Sequence, residues 1–291
     1  MNNQADIKRR LASVRQTRQI TGAMEMISVS KMRKSLERFD ENHIYFDTLD
    51  KVVADIFDTD DPDLAEFVRP PKCGGKAVVV LASDKGLCGG FNHDVIKTAD
   101  GIVTDDTTVI PIGQIPFEHY AAKKRGGAEF ALDDGFVGAS APDYGNAKRV
   151  ADSVLSRYGK EFGSVSLVYT RLVSHAVWQP VIKRLLPVDA EMHRRGEKRS
   201  SARAEFEPSA CEVFERLLPM YLGGTVYGAL VHSAASEHSA RRAAMSASAK
   251  NADEMIAELS MEYNRARQSA VTEQITEIIS SQTLDGQGRT L

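Results

Sequence analysis

The chain has 291 residues, with 37 Lys and Arg against 40 Asp and Glu for a net charge of −3, 42% hydrophobic residues and 26% charged ones. This is the composition of an ordinary folded protein of one or two domains, and it excludes disordered, collagen-like and disulfide-scaffold classes. No window holds the roughly 18 apolar residues of a membrane span, the opening MNNQADIKRR lacks the apolar core of a secretory signal, and three cysteines without a C-x-x-C pair suggest reduced thiols in a soluble cytoplasmic chain.

The first 61 residues contain one glycine, Gly22, and no proline. Apolar triplets spaced four and three apart (Ile7, Leu11, Val14; Ile20, Met24, Ile27; Met32, Leu36, Phe39) form an interrupted seam, continued by Phe46, Leu49, Val53 and Ile56. The pattern predicts one helix from about residue 4 into the high fifties, on the order of 80 Å long at 1.5 Å per residue. Its charge is split. Residues 1–38 carry nine basic and three acidic side chains, whereas Asp40 to Glu66 holds ten acids and only Lys51, so different contact zones are expected along its length.

The middle is rich in turn residues. Lys76 to Ala82 (KAVVVLA) is an unbroken apolar, β-branched run expected of a strand buried on both faces. After a glycine turn come a helix near Asn92 to Ala99, a strand near Thr107 to Ile112, a helix Pro116 to Arg125 and a strand near Glu129. A helix Pro142 to Arg157, with proline in its first turn, and a strand pair Val165 to Val173 and Val177 to Leu186 complete the set. Alternating strands and helices favour an α/β domain with a mainly parallel sheet. His193 to Arg203 is basic and aperiodic and reads as a solvated loop, with binding of an anionic partner as the second reading.

Residues 229–285 contain neither Gly nor Pro. Met245, Ala249, Ala252, Ile256, Leu259, Tyr263, Ala266 and Ala270 are spaced 4, 3, 4, 3, 4, 3, 4, a heptad seam that slips by one residue and resumes at Val271, Ile275 and Ile278. Twelve of the nineteen residues from Ala234 to Ala252 are Ala or Ser, which allows close axial approach of a second helix. The two proline-free ends are expected to pair as a long antiparallel coiled coil.

Few residues point to chemistry. The turn Ser83 to Asn92 sits where nucleotide-binding loops sit, but its glycines match neither G-x-G-x-x-G nor G-x-x-x-x-G-K-[ST]. Cys88 has Lys85 and a helix start nearby, which would lower its pKa, yet no histidine beside it to complete a catalytic pair. His175, His193, His232 and His238 lack metal-ligand spacing. The basic stretch of the first helix is interleaved with seam positions rather than preceding a zipper, which argues against nucleic acid and for an acidic protein surface.

Three blocks resemble the gamma subunit of F-type ATP synthases: ASVRQTRQITGAMEMISVSKMRKS (Ala12 to Ser35), SDKGLCGGFN (Ser83 to Asn92) and the run from Ser236 to Ser280, with fainter similarity from Phe206 to Leu222. The resemblance implies an α/β fold class built as a long antiparallel coiled coil of the N- and C-terminal helices plus a central Rossmann-like domain. Its parts would be a shaft helix over 1–61, the α/β domain over 73–207, a second shaft helix over 208–285 and a tail over 286–291. It implies a non-catalytic rotor turning inside a ring of alpha and beta subunits, docked on epsilon and the membrane ring of c subunits, with no cofactor, metal or catalytic residue of its own.

Position by position, Arg267 and Gln268 match the pair that bonds a loop of beta, Met24 matches a site facing the acidic lever of beta, and Lys85 and Cys88 fall in the loop that approaches that lever. Gly22 stands where lysine is usual and Arg242 where an apolar residue is usual. The cysteine-bearing insert of chloroplast members is absent, which implies a bacterial protein, peripheral on the cytoplasmic side of the cell membrane. The readings weighed against it are a cytoplasmic coiled-coil scaffold and an oxidoreductase using the central domain.

Overall fold

A computed structural model describes residues 2–59, 61–127, 129–174, 177–189 and 204–287. The basic loop from 193 to 203 and the last four residues of the tail lie outside the described residues. The chain divides into two compact units, one made of the segments Met1–Ile27 and Ala243–Leu291 and the other of Ser28–Arg242.

Helix α1 spans Asn2–Phe57 as one element, consistent with a sequence free of proline and nearly free of glycine. It ends where the Thr59 hydroxyl donates to the Ile56 carbonyl at 2.7 Å. A 3₁₀ turn follows over Pro62–Leu64, capped by Asp61, whose carboxylate accepts from the Asp63 N–H. A short helix α2 (Ala65–Val68) leads into the sheet.

The sheet has five strands in the order β3-β2-β1-β4-β5: β1 Lys76–Leu81, β2 Thr107–Ile112, β3 Ala131–Leu132, β4 Ser164–Ser174 and β5 Val177–Leu186. The pairs β1–β2, β1–β4 and β2–β3 are parallel, and β4–β5 is an antiparallel hairpin. Helices α3 (Phe91–Asp100), α4 (Gln114–Arg125) and α5 (Tyr144–Arg157) are the crossovers. The third strand sits two residues beyond its expected place and is only two residues long. Pro142 falls outside α5, because Asp143 is the cap: its side chain accepts from the Asn146 N–H at 3.0 Å.

Alternation along β1 builds both sides of this unit. Ala77, Val79 and Leu81 belong to a core shared with the end of α1, with α5 and with the last helix, α6 (Ala210–Gln287), including Ile56, Val150, Val154, Phe214, Leu222 and Val226. Val78, Val80 and Ala82 face a second core with Val95, Ile96, Val109, Tyr120 and Val168, beneath α3 and α4. Hence β1 is buried from Ala77 onward, as its apolar run requires.

Helix α6 runs from Ala210 to Gln287 and carries Pro219 in its interior. Within the α/β unit it lies antiparallel to α1, because Phe46 packs on Tyr227 (ring centroids 5.7 Å apart) while the later Phe57 packs on the earlier Phe214 (4.9 Å).

Burial along both long helices follows the heptad. On α6, Met245, Ala249 and Ala252 are buried, and Ile256, Leu259, Tyr263, Ala266 and Ala270 are half-buried. On α1 the stripe is continuous where the apolar residues are not. Ile7 and Leu11 are buried and Val14 half-buried, then the stripe passes through Arg18, Thr21 and Glu25 and resumes at Ser28, Met32 and Ser35. The expected middle triplet is therefore displaced by one residue: Ile20 and Ile27 are 52% and 55% exposed, and Met24 is half-buried beside the stripe. Polar residues are tolerated there because their hydroxyls bond back to their own helix, Thr21 to the Arg18 carbonyl and Ser35 to the Lys31 carbonyl, each at 3.1 Å.

Candidate functional site

The loop between β1 and α3, Ser83 to Gly90, is anchored on three sides. From within, the Ser83 N–H donates to Asn92 Oδ1 at 3.0 Å, the Ser83 hydroxyl donates to the Lys85 carbonyl at 2.8 Å, and Asn92 Nδ2 donates to the Cys88 sulfur at 3.2 Å. On the α4 side, Asp84 accepts from the Gln114 N–H at 3.0 Å and from the Ser140 hydroxyl. On the α6 side, Arg241 donates one terminal guanidinium nitrogen to the carbonyls of Lys85 (3.1 Å) and Gly86 (3.2 Å). Its other terminal nitrogen is 2.5 Å from Glu237 Oε1 one helical turn away, and Arg241 is only 9% exposed.

This frame holds the tip in an unusual backbone. Leu87 has φ +63°, and Gly89 has φ +59°. For a bulky residue the left-handed region costs on the order of 1–2 kcal/mol. Leu87 nevertheless stands 64% exposed, with Lys85 and Gly86 also exposed, whereas Cys88 is 1% exposed and packs with Phe91, Ala240 and Trp178.

Electrostatics reinforce the division between outward and inward groups. Burial pushes the Cys88 thiol pKa up, and the nearby Arg241 charge and the Ser83 hydrogen bond offset that only in part. The expected lowering by Lys85 and a helix start is therefore reversed, and the sulfur is neither a thiolate nor a surface contact. Burial also raises the Glu237 carboxyl, opposed by its bond to Arg241. The His238 imidazole is pushed down to about 4 by burial and then by the charges of Arg241 and Lys31.

The free N–H groups of a helix start are the usual cradle for a phosphate. On α4 they are taken: Gln114 by Asp84, Ile115 by the Ser83 carbonyl at 3.2 Å, Phe117 by the Gly113 carbonyl at 3.4 Å, and Pro116 has none. Gly113 is itself required by the close approach, since its φ is +111° and an added Cβ would lie 2.4 Å from the Ala82 carbonyl oxygen. At the start of α4 the chain itself therefore supplies the acceptors that a bound anion would otherwise provide.

Of the residues expected to meet a partner, Lys85 and Cys88 share this loop, and only Lys85 faces outward. Met24, Arg267 and Gln268 belong to the other compact unit, where Arg267 and Gln268 are exposed. Sequence reasoning missed Arg241, Glu237, Asp84 and Leu87. The i, i+4 spacing of Glu237 and Arg241 was readable as an ion pair on one helix face. Nothing in the sequence tied Arg241 to carbonyls more than 150 residues earlier.

The loop is built outward from a packed α/β core, with Lys85, Gly86 and Leu87 exposed at its tip and Cys88 buried at its base. Known proteins match the whole chain. The ATP synthase family model matches residues 3–283. The ATP synthase gamma chain of Ruminococcus albus is 39% identical, covering 98% of this chain and 99% of that one. The gamma chain of Acetobacterium woodii, named as sodium ion specific, is 32% identical over 95% of this chain and 97% of its own. In fold, the chain is similar to one in the Euglena gracilis mitochondrial ATP synthase assembly of OSCP, F1 and c-ring, with TM-score 0.68 at 16% identity, covering 100% of this chain and 97% of that one. The chain belongs to the ATP synthase gamma-chain family, and is a non-catalytic central-stalk subunit of an F-type ATP synthase.

Proposed function

We propose that this chain is the rotor shaft that couples transmembrane ion flow to ATP synthesis, or ATP hydrolysis to ion pumping, by turning inside a ring of alpha and beta subunits. The observation that carries this reading is identity to gamma chains over nearly the full length of both partners. In it, residues 1–61 and 208–285 are the shaft helices, 286–291 a tail, and 73–207 the domain that docks epsilon and the c-subunit ring. No described helix is long and apolar enough to cross a membrane, and association with the cell membrane, on its cytoplasmic side, runs through the c ring alone. No cofactor or nucleic acid takes part.

The beta contacts are assigned to Arg267 and Gln268, both exposed, to Met24 and to Lys85. An arginine fork suits a carboxylate or a row of loop carbonyls. Cys88 serves from behind, packing the base of the loop whose tip meets beta. The test is reconstitution. The isolated chain should hydrolyse no ATP and should be required for full activity of the ring, and Arg267→Ala with Gln268→Ala should weaken coupling while the fold is kept. Robust hydrolysis by the chain alone, or a tagged chain that purifies without alpha and beta, overturns the reading and favours a scaffold.

A further inference from the structure

The unit Ser28–Arg242 holds a cleft of about 180 Å³ lined by Phe46, Leu49 and Asp50 from α1, Tyr169 and Lys183 from the β4–β5 hairpin, and His232 from α6, among others. At a water's share of roughly 30 Å³ this is the bulk of about six waters, well below the roughly 300 Å³ at which drug-sized pockets begin, so it suits a small organic molecule and not a nucleotide. Where α6 passes the hairpin it carries glycines at 223, 224 and 228. Glycine weakens a helix interior, so each position needs a reason. A Cβ at Gly223 would meet Tyr144 and one at Gly224 would meet Phe46, but one at Gly228 would meet nothing within 4 Å. Gly228 lines the cleft, and what its missing side chain does is leave that space open.

The charged groups of the lining differ in depth. Lys183 is half-buried, and among the described residues its ammonium has no hydrogen bond and no ion pair, although Asp50 lies close enough to act on it. Burial holds this ammonium below the usual lysine pKa, the mark of a charge short of the acceptors that water would give it. His232 adds no second cation, because burial and then the charges of Arg171 and Lys183 hold its imidazole below its ordinary value. Asp47 and Asp50, three residues apart and so on one face of α1, are both exposed. We propose that the cleft binds a small aliphatic zwitterion of the amino-acid type, its carboxylate accepting from Lys183, its ammonium meeting Asp47 and Asp50, and its carbon stem lying on Phe46 and Leu49. A simple carboxylate would be repelled by the two aspartates, and a simple amine would leave Lys183 without an acceptor, so a ligand with both charges answers the whole set. This goes beyond the rotor reading and does not rest on it.

The experiment is a calorimetric titration of the full chain with 4-aminobutanoate and with leucine, against butanoate and butylamine as singly charged controls. At least one zwitterion should bind, and both controls should bind about tenfold more weakly or less, on the scale of one charge-assisted hydrogen bond. The bound zwitterion should also slow acetylation of Lys183 by an N-hydroxysuccinimide ester, read by mass spectrometry against the exposed Lys160. Lys183→Gln should weaken zwitterion binding about tenfold, and Asp47→Asn with Asp50→Asn should weaken it while leaving butanoate no weaker than before. Gly228→Leu should fill the cleft and abolish binding with the unfolding temperature not lowered, and Gly228→Ala should weaken binding in the same direction. Failure of both zwitterions to bind the parent chain, binding by Gly228→Leu equal to the parent, or equal binding of butanoate and 4-aminobutanoate overturns the inference. No alpha or beta subunit enters the measurement, so its failure leaves the rotor reading standing.

Discussion

Arg18 and Asp253 face each other between α1 and α6, with the Arg18 Nε 2.9 Å from both carboxylate oxygens. The side chains are 40% and 56% exposed, so the pair contributes less than about 1 kcal/mol, yet its geometry fixes which turn of one helix meets which turn of the other. Arg18→Asp, which sets two carboxylates together, should lower stability by about 1 kcal/mol, and the swap Arg18→Asp with Asp253→Arg should restore most of it. Thermal denaturation of the parent, Arg18→Asp, Asp253→Arg and the swap checks this. A swap no more stable than the single variant means the two side chains are not coupled.

Gly22 sits one turn beyond Arg18. An added Cβ would come within 2.8 Å of Arg18 Nη1, the movable end of a long side chain. Relief of a mid-helix glycine is worth up to about 1 kcal/mol, so Gly22→Ala should stabilise the chain by roughly 0.5 kcal/mol while loosening the Asp253 pair. Urea denaturation measures the first effect. A net loss would mean that Arg18 has no alternative position.

At Gly224 the same change should go the other way. A Cβ there would lie 2.7 Å from Phe46 Cε1 and 2.9 Å from Cδ1, on a ring already packed against Tyr45 and Tyr227. Overpacking of this kind costs about 1–3 kcal/mol, more than the helix propensity gained, so Gly224→Ala should reduce the unfolding midpoint. Pairing it with Phe46→Leu should recover part of the loss, and no recovery would place the clash elsewhere.

His238 gives the chain an acid-side pH dependence. Its folded pKa is pushed down to about 4 from 6.5 by burial, then by Arg241 and Lys31, so between those two values the unfolded state binds the extra proton. Stability should be full above about pH 6.5 and fall as pH drops toward 4, by on the order of 3 kcal/mol from this group. His238→Gln should flatten the unfolding free energy over that window. An unchanged slope in the variant would assign the acid sensitivity to other groups.

The strands and both long helices were legible because they rest on local signals, such as the KAVVVLA run, the heptad from Met245 to Ala270 and the absence of proline. The middle of the α1 stripe was not. Apolar residues Ile20 and Ile27 outweighed Thr21 in a reading based on hydrophobicity, whereas helix geometry put the smaller, self-bonded hydroxyl at the contact. The loop between β1 and α3 is legible as a glycine-rich turn, and Lys85 and Cys88 both stand out within it. What separated an exposed Lys85 from a buried Cys88 was Trp178 and Ala240, one from a distant hairpin and one from the last helix. Such tertiary neighbours leave no spacing in the sequence. The same holds for the bonds of Arg241 to the loop, whose acceptors are backbone carbonyls and so carry no residue identity at all.

The carboxylate of Asp84 at the start of α4 has one more consequence. In an α/β sheet that end of a helix is a port through which a soluble anion can enter, and its occupancy then follows the concentration of that anion. Here the anion is part of the chain, tethered a few residues from the strand that delivers it, so a dissolved anion reaches the Gln114 N–H only by displacing an intramolecular partner. The hold of α4 on the loop is therefore built into the chain and needs no dissolved anion to complete it.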